Sequence, residues 1–114
     1  MAKETRPLDD SDTTEQERVL EPFTVSSRLT SAVFVMDRTN FTDVNKVLTV
    51  RAEYKPFRSV DWRFWCGFTT KGGQTTDPTL CSTSLLPPSG SQVRIALQAS
   101  GGTIRQALHL EEES

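Results

Sequence analysis

The sequence has little of the chemistry that enzymes and metal sites need. Among its 114 residues are one histidine, His109, and two cysteines, Cys66 and Cys81, which have no CxxC spacing. A zinc site would therefore lack ligands. We place His109 on the solvent face of a strand and Cys66 on an inward face, which argues against a Cys–His nucleophilic pair. We expect no enzymatic activity, no metal and no cofactor.

Long apolar runs are also missing. No segment approaches the roughly 20 apolar residues of a membrane span, and the first ten residues, MAKETRPLDD, lack the apolar region of a signal peptide. We expect the chain not to associate with a membrane, and we expect it to be made in the cytoplasm. In the cytoplasm we expect both cysteines to remain reduced thiols. A disulfide between them is the alternative if the protein is released from the cell, and the sequence does not decide between the two.

Helical periodicity is absent, and two-residue alternation takes its place. In residues 92–110, QVRIALQASGGTIRQALHL, Val93, Ile95 and Leu97 alternate with polar side chains. This period is typical of a half-buried strand. The Gly101-Gly102 pair supplies the positive φ angles of tight turns, so we predict a β-hairpin. The fold class we predict is an antiparallel β-sandwich of about seven strands with an extended N-terminal arm, and residues 19–114 form the sandwich domain.

The predicted arm, residues 1–18, is polar and carries six acidic side chains against three basic ones. It has too few apolar residues to fold by itself, so we expect it to bind a neighbour. Residues 19–110 contain ten basic and six acidic side chains, which makes the body basic. The partner-binding residues we predict in the arm are Arg6, Asp9, Asp10 and Asp12.

Strict alternation in residues 61–69, DWRFWCGFT, places Trp62 and Phe64 in the core and Trp65 on the outer face. An exposed tryptophan is typical of binding hot spots. Trp65 would then contact another protein, a covering segment of its own chain, or a sugar ring. We predict an outer binding face that includes Trp65, Arg51 and Arg63.

Two other kinds of site are weaker interpretations. Basic and aromatic residues alternate in residues 46–63, as in single-strand nucleic-acid binders, but acidic residues dilute the charge, so we do not expect nucleic acid as a partner. Asp37, Asn40, Asp43 and Asn45 have oxygen ligands at a spacing that calcium accepts, without the ordered array of an EF-hand. Asx-turns explain the same residues at lower cost, so we favour them over a metal site.

Several segments carry a resemblance to a known class. They are residues 37–43 (DRTNFTD), Trp62, residues 67–73 (GFTTKGG), the Leu86-Pro87-Pro88 turn and residues 92–95 (QVRI). Over residues 31–110 the chain resembles small, functionally unassigned β-sandwich virion structural proteins of tailed bacteriophages. The resemblance implies a location in the virion and a role as a capsid decoration or cement protein, or another head- or tail-associated protein. It brings no catalytic residues.

Two functional hypotheses follow. The first is a non-enzymatic bacteriophage virion structural protein whose partners are other virion proteins, such as major capsid or tail subunits, in a homo-oligomer or lattice. The second is a carbohydrate-binding or adhesin-like module that uses Trp65 and the loops of residues 37–45 and 70–78.

Overall fold

The computed structural model describes residues 3–25, 29–37, 42–73, 79–82 and 86–113. Within these ranges the chain forms nine strands and no helix. The strands are β1 (Lys3–Thr13), β2 (Arg18–Val19), β3 (Phe23–Thr24), β4 (Ser31–Asp37), β5 (Val47–Lys55), β6 (Arg63–Lys71), β7 (Thr79–Ser82), β8 (Gln92–Ser100) and β9 (Ile104–Glu113).

The strands form two antiparallel sheets. Sheet A has the order β1-β9-β4-β7, and sheet B has the order β2-β8-β5-β6. The short β3 pairs with β8 further along the edge that β2 occupies, so β2 and β3 act as one interrupted edge strand. The predicted antiparallel β-sandwich is confirmed. When β2 and β3 are counted as one strand there are eight strands, and the one added to the predicted seven is β1.

The core lies between the inward faces of the two sheets. Alternate residues of each long strand are buried, as the two-residue period requires. Sheet A contributes Phe34, Met36, Ile104, Leu108 and Leu110, and sheet B contributes Leu48, Val50, Val93, Ile95 and Leu97. Each of these side chains is at most 2% exposed. The inward positions predicted for Val93, Ile95 and Leu97 of β8 are therefore confirmed.

The predicted hairpin over residues 92–110 is wrong in its pairing. Strand β8 pairs with β2, β3 and β5 of sheet B, whereas β9 pairs with β1 and β4 of sheet A. The connection is an arch that carries the chain from one sheet to the other. Gly101 has φ +88°, and a Cβ there would lie 2.3 Å from the carbonyl oxygen of Asn45. The glycine pair thus serves a close backbone approach instead of a tight hairpin.

Residues 3–13 of the predicted arm form an edge strand of sheet A. Strand β1 pairs with β9 from Lys3, opposite Glu113, to Thr13, opposite Ile104. Such pairing uses backbone N–H and C=O groups, which a polar sequence supplies as well as an apolar one. The polar composition of this segment suggested an arm outside the sandwich, and this prediction is wrong for residues 3–13, which form part of sheet A.

Candidate interaction surface

The outer face of sheet B carries a groove of about 470 Å³. Outward side chains of the three long strands form it, because alternation turns every second residue of each strand away from the core. We call it the outer groove, and define it by Thr49, Arg51, Phe64, Gly67, Ala96 and Gln98.

A register shift in β6 determines which aromatic side chain faces the groove. Ala52 lies opposite Cys66 and Glu53 lies opposite Phe64, so Trp65 has no counterpart on β5. A bulge of this kind reverses the faces of the residues beyond it. Phe64 is consequently 63% exposed, and Trp65 is 3% exposed.

The predicted outer position of Trp65 is therefore wrong. Its ring packs in the core at 5.4 Å from the ring of Phe34, centroid to centroid, with the planes at 56°. Nor does Phe64 point inward as the uninterrupted alternation predicted. Phe64 is the aromatic residue that sequence reasoning missed, and nothing in the sequence DWRFWCGFT marks the position of the bulge.

Small residues open space beside Phe64. Gly67 and Ala96 flank Arg51 on its two sides, since both pair with it across the sheet. A Cβ at Gly67 would lie 3.6 Å from the nearest atom of the Phe64 ring and 3.1 Å from the carbonyl oxygen of Val50. Because no side chain stands there, the edge of the Phe64 ring and the Arg51 guanidinium remain accessible to one ligand.

The charge of the groove comes from Arg51, as predicted for the outer face. Its Nη2 lies 3.3 Å from Oε1 of Glu17, and both side chains keep more than two-fifths of their surface exposed. Such an exposed pair is weak and exchanges readily with an incoming carboxylate. Arg63 is exposed at the start of β6, but it lies opposite Tyr54, which packs against the core, so the bulge turns Arg63 away from the outer face predicted for it.

Two of the residues predicted to bind a partner through the arm make contacts within the chain. The Asp9 side chain is only 7% exposed and its carboxylate accepts four hydrogen bonds. Arg18 Nη1 and Nη2 donate at 2.9 Å each, Ser11 Oγ donates at 2.9 Å, and Gln106 Nε2 donates at 2.7 Å. Hydrogen bonding to Asp9 raises the pKa of Arg18 above the ordinary arginine value, against the lowering effect of burial. The pair connects β1 of sheet A with β2 of sheet B.

Arg6 makes a second connection, through an ion pair within sheet A and a ring contact that reaches sheet B. It donates from Nε and Nη2 to the carboxylate of Glu112, at 3.3 and 3.4 Å. Its guanidinium carbon also lies 4.3 Å from the ring centroid of Phe23, on β3 of sheet B. Arg6 and Asp9 thus hold the two sheets together along one side, which explains why they do not project toward a partner.

The other two predicted arm residues are at the surface. Asp10 accepts a hydrogen bond of 2.9 Å from Arg105 and remains 73% exposed, and Asp12 is exposed. Both belong to the outer face of sheet A, on the opposite side of the molecule from the outer groove. The structure therefore does not bring them together with Arg51 and Arg63.

The predicted loop sites lie partly outside the described residues, which exclude residues 38–41 and 74–78. In the described part, the backbone N–H of Asn45 donates to Oδ1 of Asp43 at 2.9 Å. This is the Asx-turn that the sequence predicted as one interpretation of this loop. Among the described residues, no three His, Cys, Asp or Glu side chains cluster as metal ligands would.

No described segment is a helix long and apolar enough to cross a membrane.

Comparison with known proteins gives one likeness, and it concerns the fold. No protein-family model matches the chain, and no curated protein matches it. The chain is similar to one in the solved structure of infectious bursal disease virus, Gt strain, with a TM-score of 0.50 and 15% sequence identity. The match covers 96% of this chain and 31% of the viral one. It supports a β fold shared with a viral protein, and the narrower tailed-phage resemblance stays a prediction.

Proposed function

We propose that this chain is a non-enzymatic structural protein of a virus particle that binds neighbouring virion subunits through the outer groove. The finer role is that of a bacteriophage capsid decoration or cement protein, or another head- or tail-associated protein. The finer role follows from the resemblance of residues 31–110. The fold likeness to a viral protein supports the particle role in general terms.

The observation that carries the proposal is the exposed aromatic ring beside an exchangeable cation. Phe64 keeps 63% of its surface exposed on an otherwise regular sheet face. Large aromatic residues and arginines dominate the binding energy of protein interfaces. An apolar side chain of the partner would cover Phe64, while an acidic one would replace Glu17 at Arg51.

The binding surface is also rigid. It stands on three neighbouring strands that pair along their length except at the Trp65 bulge, and the Asp9–Arg18 ion pair and the contact of Arg6 with Phe23 join the two sheets along one side. A rigid surface loses little conformational entropy on binding. Repetition of a modest contact around a symmetric shell then gives strong overall attachment through effective concentration. Such a role depends on shape and charge, and needs no catalytic group.

The test is incorporation into particles of the virus that encodes the chain. Phe64→Ser and Arg51→Ser should each lower the number of copies per particle, measured by quantitative mass spectrometry of purified particles. Both variants should fold, because each side chain is exposed in the isolated chain.

A matched control is Val44→Ser, since Val44 is 65% exposed and lies at the far end of β5, away from the groove. This variant should be incorporated like the original chain. Normal incorporation of the Phe64→Ser and Arg51→Ser double variant would disprove the proposed surface.

A carbohydrate-binding or adhesin-like module is the second candidate, and the exposed ring of Phe64 favours it. Sugars stack on exposed aromatic rings, and Thr49, Thr69 and Gln98 supply hydrogen-bonding groups around this one. Glycan-array binding that Phe64→Ser abolishes would support this candidate over the first. Trp65, the ring that the sequence suggested for this role, is buried and does not face a ligand.

A further inference from the structure

The turn between β5 and β6 presents two large apolar side chains to solvent. Phe57 is 69% exposed and Val60 is 87% exposed, which is the largest exposure of any large hydrophobic residue among those described. We call residues 56–62 the hairpin tip. Neighbouring exposed apolar side chains on a soluble surface mark a contact site.

The hairpin tip is held in a fixed shape. The backbone N–H of Ser59 donates to the carbonyl of Pro56 at 2.9 Å, and Arg58 adopts a left-handed φ of 67°. Non-glycine residues with this φ are strained and persist only where the surroundings impose it. Phe57 lies against Gly90, where an added Cβ would be 3.3 Å from the Phe57 Cβ. The apolar pair is therefore preorganised for a contact.

Basic residues flank this apolar pair along the chain, and the Arg58 guanidinium carbon lies 5.3 Å from the ring centroid of Phe57. Lys55, Arg58 and Arg63 lie in and beside the hairpin tip, with Asp61 as the one acidic residue between Lys55 and Arg63. The hairpin tip thus fits an acidic surface that offers an apolar side chain at its centre.

Strand β2 offers that surface on the same chain. Glu17, Val19 and Glu21 are exposed in alternation, whereas the intervening Arg18 and Leu20 are partly buried. Val19 is 52% exposed, with an acidic side chain two residues away on each side. We call these three residues the acidic edge. Its pattern is an apolar residue between two carboxylates, of which Glu17 also pairs with Arg51 in the outer groove, and this pattern complements the hairpin tip in charge and hydrophobicity.

The two surfaces do not meet within one chain. Val19 lies beside Ala96 on β8, at the edge of sheet B. The hairpin tip follows Lys55, which lies beside Gln92 at the end of β8, and projects beyond that end of the sheet. Each surface therefore needs a partner from another molecule.

We propose that the acidic edge of a second copy of this chain binds the hairpin tip. The contact is heterologous, because two different surfaces of the chain meet. A heterologous contact leaves one surface open on each end molecule, so copies add head to tail into a ring or a filament.

The test uses the isolated chain in sedimentation velocity over about 1 μM to 1 mM, the range of weak self-association. The mean mass should rise past that of a dimer with concentration, and should fall with added salt, which screens the carboxylate–cation contacts. Phe57→Ser with Val60→Ser should weaken association by about tenfold or more. The control is Val44→Ser. Val44 is 65% exposed, close to the 69% of Phe57, and belongs to neither surface, so this variant should associate like the original chain.

A mixing experiment distinguishes the heterologous contact from a symmetric one. The Phe57→Ser/Val60→Ser variant keeps only the acidic edge, and a Val19→Ser/Glu21→Lys variant keeps only the hairpin tip. Each variant should be monomeric alone, and the mixture should form a one-to-one dimer that grows no further. A monomeric mixture, or assemblies beyond a dimer, would overturn the proposal.

The inference does not rest on the proposed particle role, since the test contains no other virion protein and leaves Phe64 and Arg51 unchanged. If the chain does not self-associate but the Phe64→Ser variant is still incorporated into particles in reduced numbers, the contact between two copies is disproved and the proposed particle role stands. A chain that stays monomeric but sediments with phosphatidylserine vesicles through Phe57 and Val60 would also overturn it, in favour of an anionic lipid surface.

Discussion

Strands β1 and β6 stand at the edges of different sheets, and each contains one residue that its neighbour strand does not match. In β1 the pairing skips Leu8, and in β6 it skips Trp65. Each unmatched residue packs with the core cluster, next to a residue that also faces inward. A single inserted residue thus gives an edge strand two consecutive inward side chains where regular alternation allows one.

The two bulges differ in what the second inward residue is. In β6 the neighbour of Trp65 is Cys66, which packs against the core. In β1 the neighbour of Leu8 is Asp9, a carboxylate that is 7% exposed. The carboxylate is stable there because four donor atoms satisfy it, two of them on one arginine. The comparison teaches that an edge position accepts a buried charge where side-chain donors from both sheets reach it.

The largest effect should come from the apolar bulge. Trp65→Ala removes a fully packed indole and should lower the free energy of unfolding by about 3–5 kcal/mol, the usual cost of such a cavity. Urea unfolding followed by circular dichroism measures it. Phe64→Ala is the matched control, with an expected loss below about 1 kcal/mol because the ring is exposed. Equal losses for the two variants would contradict the assigned faces of β6.

The polar bulge should be the next most sensitive. Asp9→Ala leaves Arg18 and Gln106 without their shared acceptor and should cost about 2 kcal/mol. This lies below the usual cost of breaking a buried pair, because Arg18 is 37% exposed and regains water. A double-mutant cycle with Arg18→Met should give a coupling energy of about 1 kcal/mol or more. Additive losses would mean that the pair does not connect the sheets.

A smaller effect is expected from one hydrogen bond of the same carboxylate. Ser11→Ala removes the donor at 2.9 Å from Asp9 Oδ1 and leaves three donors in place. The loss should be about 1 kcal/mol, the net value of one such bond. Thermal unfolding detects it as a shift of a few degrees. In an Asp9→Ala background the same substitution should have almost no effect.

The smallest effect should be at the neighbouring exposed pair. Asp10→Asn weakens the contact with Arg105, in which Asp10 is 73% exposed. We expect a loss below about 0.5 kcal/mol, because water screens exposed pairs. The comparison of Asp9 with Asp10, adjacent acids in one strand, isolates the contribution of burial. A loss at Asp10 as large as at Asp9 would contradict it.

Much of the sandwich could be predicted from residue alternation. Strand β8 buries Val93, Ile95 and Leu97 as the sequence indicated, and β5 and β9 follow the same two-residue period of burial. Even Gln106, which breaks the apolar pattern of β9, keeps its inward position, because its amide donates to Asp9. Regular alternation predicts faces well, since one buried side of a strand determines its register.

The candidate site could be predicted only in part. Arg51 faces outward as expected, but the bulge turns Arg63 to the other face of β6, and the aromatic residue beside Arg51 is Phe64 instead of Trp65. A bulge has no signature in these residues, and both aromatic side chains are equally compatible with burial. Strand β1 was missed for a different reason. Its stabilising contacts are backbone pairing and ion pairs with distant residues, which hydrophobicity does not register.

The position of β9 between β1 and β4 has a consequence for how the molecule is made. Neither neighbour can complete its pairing until β9 has left the ribosome, and β9 is the last strand described. Contacts between segments so far apart in sequence form slowly. Between the synthesis of β1 and that of β9, the β1 segment has no strand to pair with. Its carboxylates keep it hydrated during this time and repel the same segment on neighbouring nascent chains.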